Sequence, residues 1–315
     1  MKFSDFAGLD AKMEQLMRSA QAGRIVHALL FSGPHGTGKH AMAELMARAV
    51  LCQSGGTRPC DVCDSCKKCL NGMHPDIHEI APEKNTIKIE QIRDLQDTMA
   101  LTSYAGGMKI AIIRRADCMN VNAQNALLKT LENPTGDALF FLLTEAPSAL
   151  LPTVVSRCLT VRFRCLEPAA CAEVLQRQGV AHERAALLAA LSQGSVGRAK
   201  EIDADEGYME LRTRVIDALE GLAGAEQIAA ASAKIGDVKD NASAVFEILE
   251  LWARDLMRVQ NGLMPMQVAD EARLRASRHR GSALMLGVAQ LRRQLAANVT
   301  WTNALDAMLF QLVRA

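Results

Sequence analysis

The sequence predicts an α/β domain built on a parallel sheet and interrupted by a cysteine-rich insertion, with only helices after it. Three observations carry this. Continuous apolar runs alternate with helical patterns up to about residue 165, which is how strands covered on both faces read. One of these runs leads directly into a glycine-rich loop and a helix. Beyond Glu167 no segment reads as a strand, and Ala, Leu and Met dominate at helical spacing.

The 315 residues suffice for two or three domains with separate cores. An apolar fraction of 49% is that of ordinary globular proteins. No apolar run reaches the ~18 residues of a membrane span, and the opening MKFSDFAGLD has no signal core, so a soluble, cytoplasmic chain with reduced thiols is expected. With 36 basic against 35 acidic residues, bulk charge does not drive binding to nucleic acid or membranes. The basic run RLRASRHR, Arg273 to Arg280, has the pattern of a solvated helix face. Aromatics at 4% argue against a base-stacking platform.

Asp10 to Ala22 places Met13, Leu16 and Met17 on one helical face, with Gly23 as the stop. His27 to Phe31 reads as a buried strand and Ala41 to Leu51 as a helix. Between them Gly33 to His40, GPHGTGKH, has the spacing of a phosphate-binding loop. Gly33, Gly36 and Gly38 let backbone N–H groups wrap phosphates at a helix N-terminus, and Lys39 reaches the terminal phosphate. The next residue ought to be Ser or Thr, whose hydroxyl holds Mg²⁺, but it is His40. A neutral imidazole is a poor magnesium ligand, so hydrolysis is not expected.

Of nine cysteines, five lie between Cys52 and Cys69, and Cys60, Cys63, Cys66 and Cys69 recur every third residue. Two-residue gaps let thiolates converge on one tetrahedral zinc ion, whereas disulfides are unusual in a reducing compartment. Five candidates compete for four places.

Asp76 to Pro82 reads as a short strand and Ile89 to Leu101 as an amphipathic helix, and Gly106 and Gly107 mark a turn. Lys109 to Ile113, KIAII, is a buried strand whose end ought to deliver an acidic residue to a metal. It delivers Arg114 and Arg115, two cations that would repel Mg²⁺. Asn122 to Glu132 is a helix closed by Asn133 and Pro134; Ala138 to Thr144 and Leu159 to Phe163 complete the buried strands. Cys171 to Gln178, Glu183 to Ser192 and Val196 to Asp203 read as helices, and Tyr208 to Ala315 as a helical block. Its last helix carries Trp301, Leu305, Met308, Leu309 and Leu312 as a core stripe.

Assembled, these residues resemble the bacterial DNA polymerase III clamp-loader branch of the AAA+ family, in its delta-prime line. The resemblance runs end to end. It is carried by the loop, the cysteine cluster after the loop's helix, HPD at His74 to Asp76, NALLKTLENP at Asn125 to Pro134 and SRC at Ser156 to Cys158. The delta-prime line is indicated by the altered nucleotide site, because sister ATPase subunits keep Ser or Thr after the lysine and an Asp-Glu pair where Arg114 and Arg115 stand.

The resemblance implies a RecA-like AAA+ domain over residues 1–165, with a zinc module at about 52–72, a three-helix lid over 166–205 and a helical collar over 206–315. It implies zinc on Cys52, Cys60, Cys63 and Cys66, with Cys69 as the alternative ligand. Thr144 and Arg198 fall at the two sensor positions, and Arg157 is implied to serve as an arginine finger for a neighbouring subunit. From the residues alone, Arg157 would instead pack on its own domain or pair with a nearby carboxylate. ATP or ADP binding through Lys39 would be weak. Implied partners are the gamma/tau ATPase subunits and the delta subunit in a hetero-pentamer, the sliding clamp, and primer-template DNA through the complex. Two other readings compete: an active loader ATPase, which steady-state hydrolysis would reveal, and a zinc-dependent nucleic-acid module, which would bind DNA alone.

Overall fold

The computed structural model describes residue 6 and residues 11–22, 25–105, 107–134, 136–236 and 242–314. Asp10, Gly23, Gly106 and Ala315, named above as helix or turn boundaries, lie outside the described residues. The chain divides into two compact units, Met1–Val174 with Ser195–Arg198, and Leu175–Gly194 with Ala199–Ala315.

In the first unit α1 (Ala11–Gln21) precedes β1 (Ala28–Ser32), and α2 (Lys39–Leu51) follows the glycine-rich loop. The insertion contains a helix that its polar, cysteine-rich sequence concealed, α3 (Asp64–Leu70). Then come β2 (Ile77–Ile80), α4 (Ile89–Ala100), β3 (Lys109–Ile113), α5 (Val121–Glu132) and β4 (Ala138–Thr144). A short helix α6 (Pro152–Val155) precedes β5 (Leu159–Arg162). The five strands form one sheet in the order β2-β3-β4-β1-β5, and every pairing is parallel.

Side-chain alternation explains the continuous apolar runs. Leu30, Ala111, Ile113, Phe140 and Leu142 pack on one face with Ile92 and Leu95 of α4 and Leu127 and Leu131 of α5. Leu29, Phe31, Ile110, Ile112, Phe141 and Leu143 pack on the other with Met13 and Leu16 of α1 and Met42 and Met46 of α2. A strand with both faces covered favours apolar residues throughout, and the buried polar ones, Ser32, Lys109 and Thr144, stand at strand ends. Because all strands are parallel, their carboxyl ends share one edge, where α/β sheets hold ligands.

The second unit is helical throughout its described residues. The three expected helices are α7 (Pro168–Arg177), whose first part belongs to the first unit, α8 (His182–Leu191) and α9 (Val196–Ala204), whose first turn belongs to the first unit. They are followed by α10 (Glu206–Glu220), α11 (Ile228–Ile235), α12 (Ala242–Gln260), α13 (Glu271–Ala276), α14 (Gly281–Ala296) and α15 (Trp301–Arg314). Trp252, Leu256, Leu284, Val288, Leu305 and Leu309 form part of its buried interior, and the expected stripe on α15 is buried. The basic run is partly neutralised: Arg273 lies 2.6 Å from both Asp217 and Glu220, and Arg275 lies 2.7 Å from Glu271. No helix among the described residues is long and apolar enough to cross a membrane.

Candidate functional site

The loop Gly33–Lys39 leaves the carboxyl end of β1, and its glycines are required by close approach. A Cβ on Gly33 would lie 2.2 Å from the Phe163 carbonyl oxygen. Gly36, at φ +71°, touches Ser195 and Arg198 so closely that a Cβ would meet Ser195 Oγ at 2.4 Å. Gly38 is the left-handed N-cap of α2, which lets the helix begin at Lys39, earlier than the sequence pattern placed it. The loop has the fold of a phosphate cradle, and its lysine and several of its carbonyls bond within the chain. Lys39 Nζ donates to the carbonyls of Gly33 and Pro34, both at 2.7 Å. Burial pushes its pKa down, against the attraction of Glu145 and Asp117. Ser195 Oγ donates to the His35 carbonyl and the Gly197 N–H to the Gly36 carbonyl, each at 2.8 Å. Arg198 joins this contact through its backbone N–H, 3.3 Å from Ser195 Oγ.

His40 Nε2 lies 3.0 Å from Glu79 Oε2, and that hydrogen bond raises the pKa of the imidazole. Glu79, on β2, also binds Arg114 at 3.1 Å. Burial alone would push the Glu79 carboxyl up, but His40 and Arg114 together hold it below its usual value. Glu79 is thus engaged by both His40 and Arg114 within the chain. Arg114 is held by this contact, while Arg115 adopts the left-handed conformation that turns the chain after β3. Thr144, buried at the end of β4, donates to Asp117 Oδ1 at 2.7 Å. Glu79 and Asp117 were not singled out from the sequence, since nothing local to either marks it as a partner of this loop.

The sign of the His40 shift sets a pH dependence. A histidine with a raised folded pKa stabilises the fold fully below its ordinary value of about 6.5 and loses that contribution as pH rises through the folded value. Glu79, lowered, loses its share as pH falls below about 4.5. The His40→Gln variant is therefore expected to be destabilised more at pH 6 than at pH 9 in urea denaturation. An equal loss at both values would count against the ion pair.

The structure brings Cys52, Cys60, Cys63 and Cys66 together, with their Sγ atoms all within 4.8 Å of one another. Tetrahedral zinc with Zn–S near 2.3 Å requires sulfurs about 3.8 Å apart; Cys60 and Cys66 are 4.0 Å apart, so the donor set fits. Backbone N–H groups of Cys63 and Cys66 point at Cys60 Sγ (3.4 Å) and Cys63 Sγ (3.5 Å). Hydrogen bonds around Val62 and Cys63 lower the Cys60 pKa to about 6, whereas burial pushes Cys66 up. Cys69 stands outside this group among the described residues; it packs against the core on the α2 face of the sheet, and burial raises its pKa to about 11. Cys52 is the C-cap of α2, so the cluster is fastened to the loop's helix. Arg48 of α2 also binds Asp61 at 3.1 Å. Ser65 Oγ donates to the Leu51 carbonyl at 2.8 Å, so it accepts from His74 Nε2, whose Nδ1 accepts from the Asp76 N–H. That chain of bonds fixes the His74 tautomer and explains the HPD segment structurally.

Arg157 lies in the turn between α6 and β5. Its Nη2 is 2.5 Å from Glu132 Oε1 and its Nη1 donates to the Thr153 carbonyl at 2.8 Å. In this single chain it pairs with a carboxylate of its own unit, which is what the residues without the family resemblance suggested.

A family profile described as "DNA polymerase III, delta subunit" matches residues 8–167. The chain is 40% identical to DNA polymerase III subunit delta-prime of Bacillus subtilis, over 67% of this chain and 64% of that protein. It is 39% identical to the delta-prime subunit of Pseudomonas aeruginosa, over 69% and 68%. It is 36% identical to subunit tau of Escherichia coli, over 62% of this chain and 31% of tau. The matched part thus spans just under two thirds of the Bacillus relative.

Proposed function

Because the chain belongs to the bacterial DNA polymerase III delta-prime/tau family, we propose that it is the non-hydrolysing stator of a clamp loader. In this role it joins gamma/tau ATPase subunits and a delta subunit in a hetero-pentamer and helps place a sliding clamp on primer-template DNA. The observation that carries this reading is the His40–Glu79–Arg114 network where a magnesium site would lie. Phosphoryl transfer needs a metal to bridge the phosphates and neutralise developing charge, and a carboxylate already engaged by His40 and Arg114 offers it little. Arg157 acts in trans as the arginine finger, while Thr144 and Arg198, at the sensor positions, are structural. Residues 1–165 are the AAA+ domain, 166–205 the lid and 206–315 the collar that anchors the chain in the assembly. Cys52, Cys60, Cys63 and Cys66 hold a structural zinc.

The purified chain is expected to hydrolyse no ATP above background, with any weak ATP or ADP binding confined to Lys39 and the loop amides. Steady-state hydrolysis tests this together with native mass spectrometry of the chain mixed with its ATPase partners. Turnover abolished by Lys39→Ala, or failure to enter the complex, would overturn the reading.

A further inference from the structure

Glu132 is the last residue of α5, where unpaired carbonyls gather the negative end of the helix dipole. A carboxylate is locally disfavoured there, and such breaches of local preference concentrate at functional positions. Its partner is Arg157. The guanidinium is held through both terminal nitrogens, by Glu132 and by the Thr153 carbonyl at the start of α6. A guanidinium has five N–H donors in a rigid plane, so these two contacts leave Nε and further N–H groups unspent. The side chain is 34% exposed, which keeps that remaining edge within reach of another chain. An exposed pair of this kind adds little to stability, so folding alone does not account for a glutamate at this helix end.

We propose that Glu132 is a positioning residue: it fixes the plane of Arg157 between α5 and α6 so that the free edge of the guanidinium meets a phosphate of a neighbouring subunit already oriented. The proposal rests on the reading of Arg157 as a finger in trans. A flexible arginine would have to give up its rotamer freedom on engagement, and Glu132 imposes that order beforehand. The carboxylate touches no substrate and acts only through the arginine.

The test uses the complete complex, reconstituted with wild-type chain, Glu132→Ala, Glu132→Gln, Arg157→Ala and the Glu132→Ala/Arg157→Ala double variant. Hydrolysis is measured with clamp and primed DNA present. Glu132→Ala is expected to lower kcat by about threefold with KM for ATP little changed, a smaller loss than that of Arg157→Ala. Glu132→Gln retains an acceptor for Nη2 at nearly the same shape and is expected to recover part of the loss. The double variant is expected to be no slower than Arg157→Ala alone, because a residue acting only through the arginine has nothing left to act on. Unchanged or raised kcat in Glu132→Ala beside a slow Arg157→Ala would overturn the positioning role and leave the finger standing. Losses that add in the double variant would also overturn it. A silent Arg157→Ala would remove the finger, and this proposal with it.

Discussion

Cys52→Ser is expected to empty the cysteine cluster of zinc and to loosen the whole insertion, whereas Cys69→Ser keeps the metal. Cys52 is almost fully buried as the C-cap of α2, 3% exposed, and is the only member of the cluster supplied from outside the Cys60–Cys66 run. Without it three thiolates remain. Two of them, Cys60 and Cys63, have lowered pKa values, whereas burial pushes Cys66 up, so metal binding there would cost the release of its proton. Structural zinc in isolated finger peptides contributes about 10–16 kcal/mol of apparent free energy. The loss here is smaller, because Arg48–Asp61 and the Leu51–Ser65–His74 chain of hydrogen bonds also hold the module to α2. The expected signature is zinc content falling from one ion per chain towards zero, with new proteolytic cleavage between residues 53 and 72 and the sheet domain intact. Full zinc in Cys52→Ser together with its loss in Cys69→Ser would reverse the assignment.

What the sequence made legible is what depends on neighbours in the chain. The strands KIAII and ALFFLLT match β3 and β4 at both ends, because strands covered on both faces favour continuous apolar side chains. The loop was legible because phosphate cradles need glycine and lysine at fixed spacing. The partners of that loop were not. Glu79 meets His40 and Arg114 only because β2 pairs with β3 in a register that sets Glu79 beside Ile112. No local pattern contains that pairing. The raised pKa of His40 has the same origin: it follows from a residue far along the chain. Ser195 and Gly197 close on His35 and Gly36 across some 160 positions, and nothing local to either marks that contact. Short helices also escaped, α3 because its cysteines dominated the reading and α6 because four residues carry no period.

Arg157→Ala is expected to leave folding, zinc content and complex formation intact while lowering clamp- and DNA-stimulated hydrolysis by roughly tenfold or more. The side chain contributes little to its own domain: its contacts are one half-exposed carboxylate and one backbone carbonyl, and exposed pairs of this kind are worth about 0–1 kcal/mol. The proposed role lies in chemistry at a neighbouring subunit. A guanidinium brought to a neighbour's γ-phosphate places fixed planar charge where negative charge grows in the transition state, and such fingers are worth about 10³–10⁵ in rate at the site they complete. On the proposed reading Arg157 completes one of several sites in the loader, so the expected loss in the whole complex falls short of that range. Arg157→Lys is expected to restore little. An ammonium is a point charge with no fork, so it reproduces neither the two-edged hold by Glu132 and Thr153 nor the oriented N–H donors towards phosphate. Clamp loading onto primed DNA should fall in parallel with hydrolysis. A complex carrying Arg157→Ala that hydrolyses ATP and loads clamps at the wild-type rate would show that the arginine serves only its own fold.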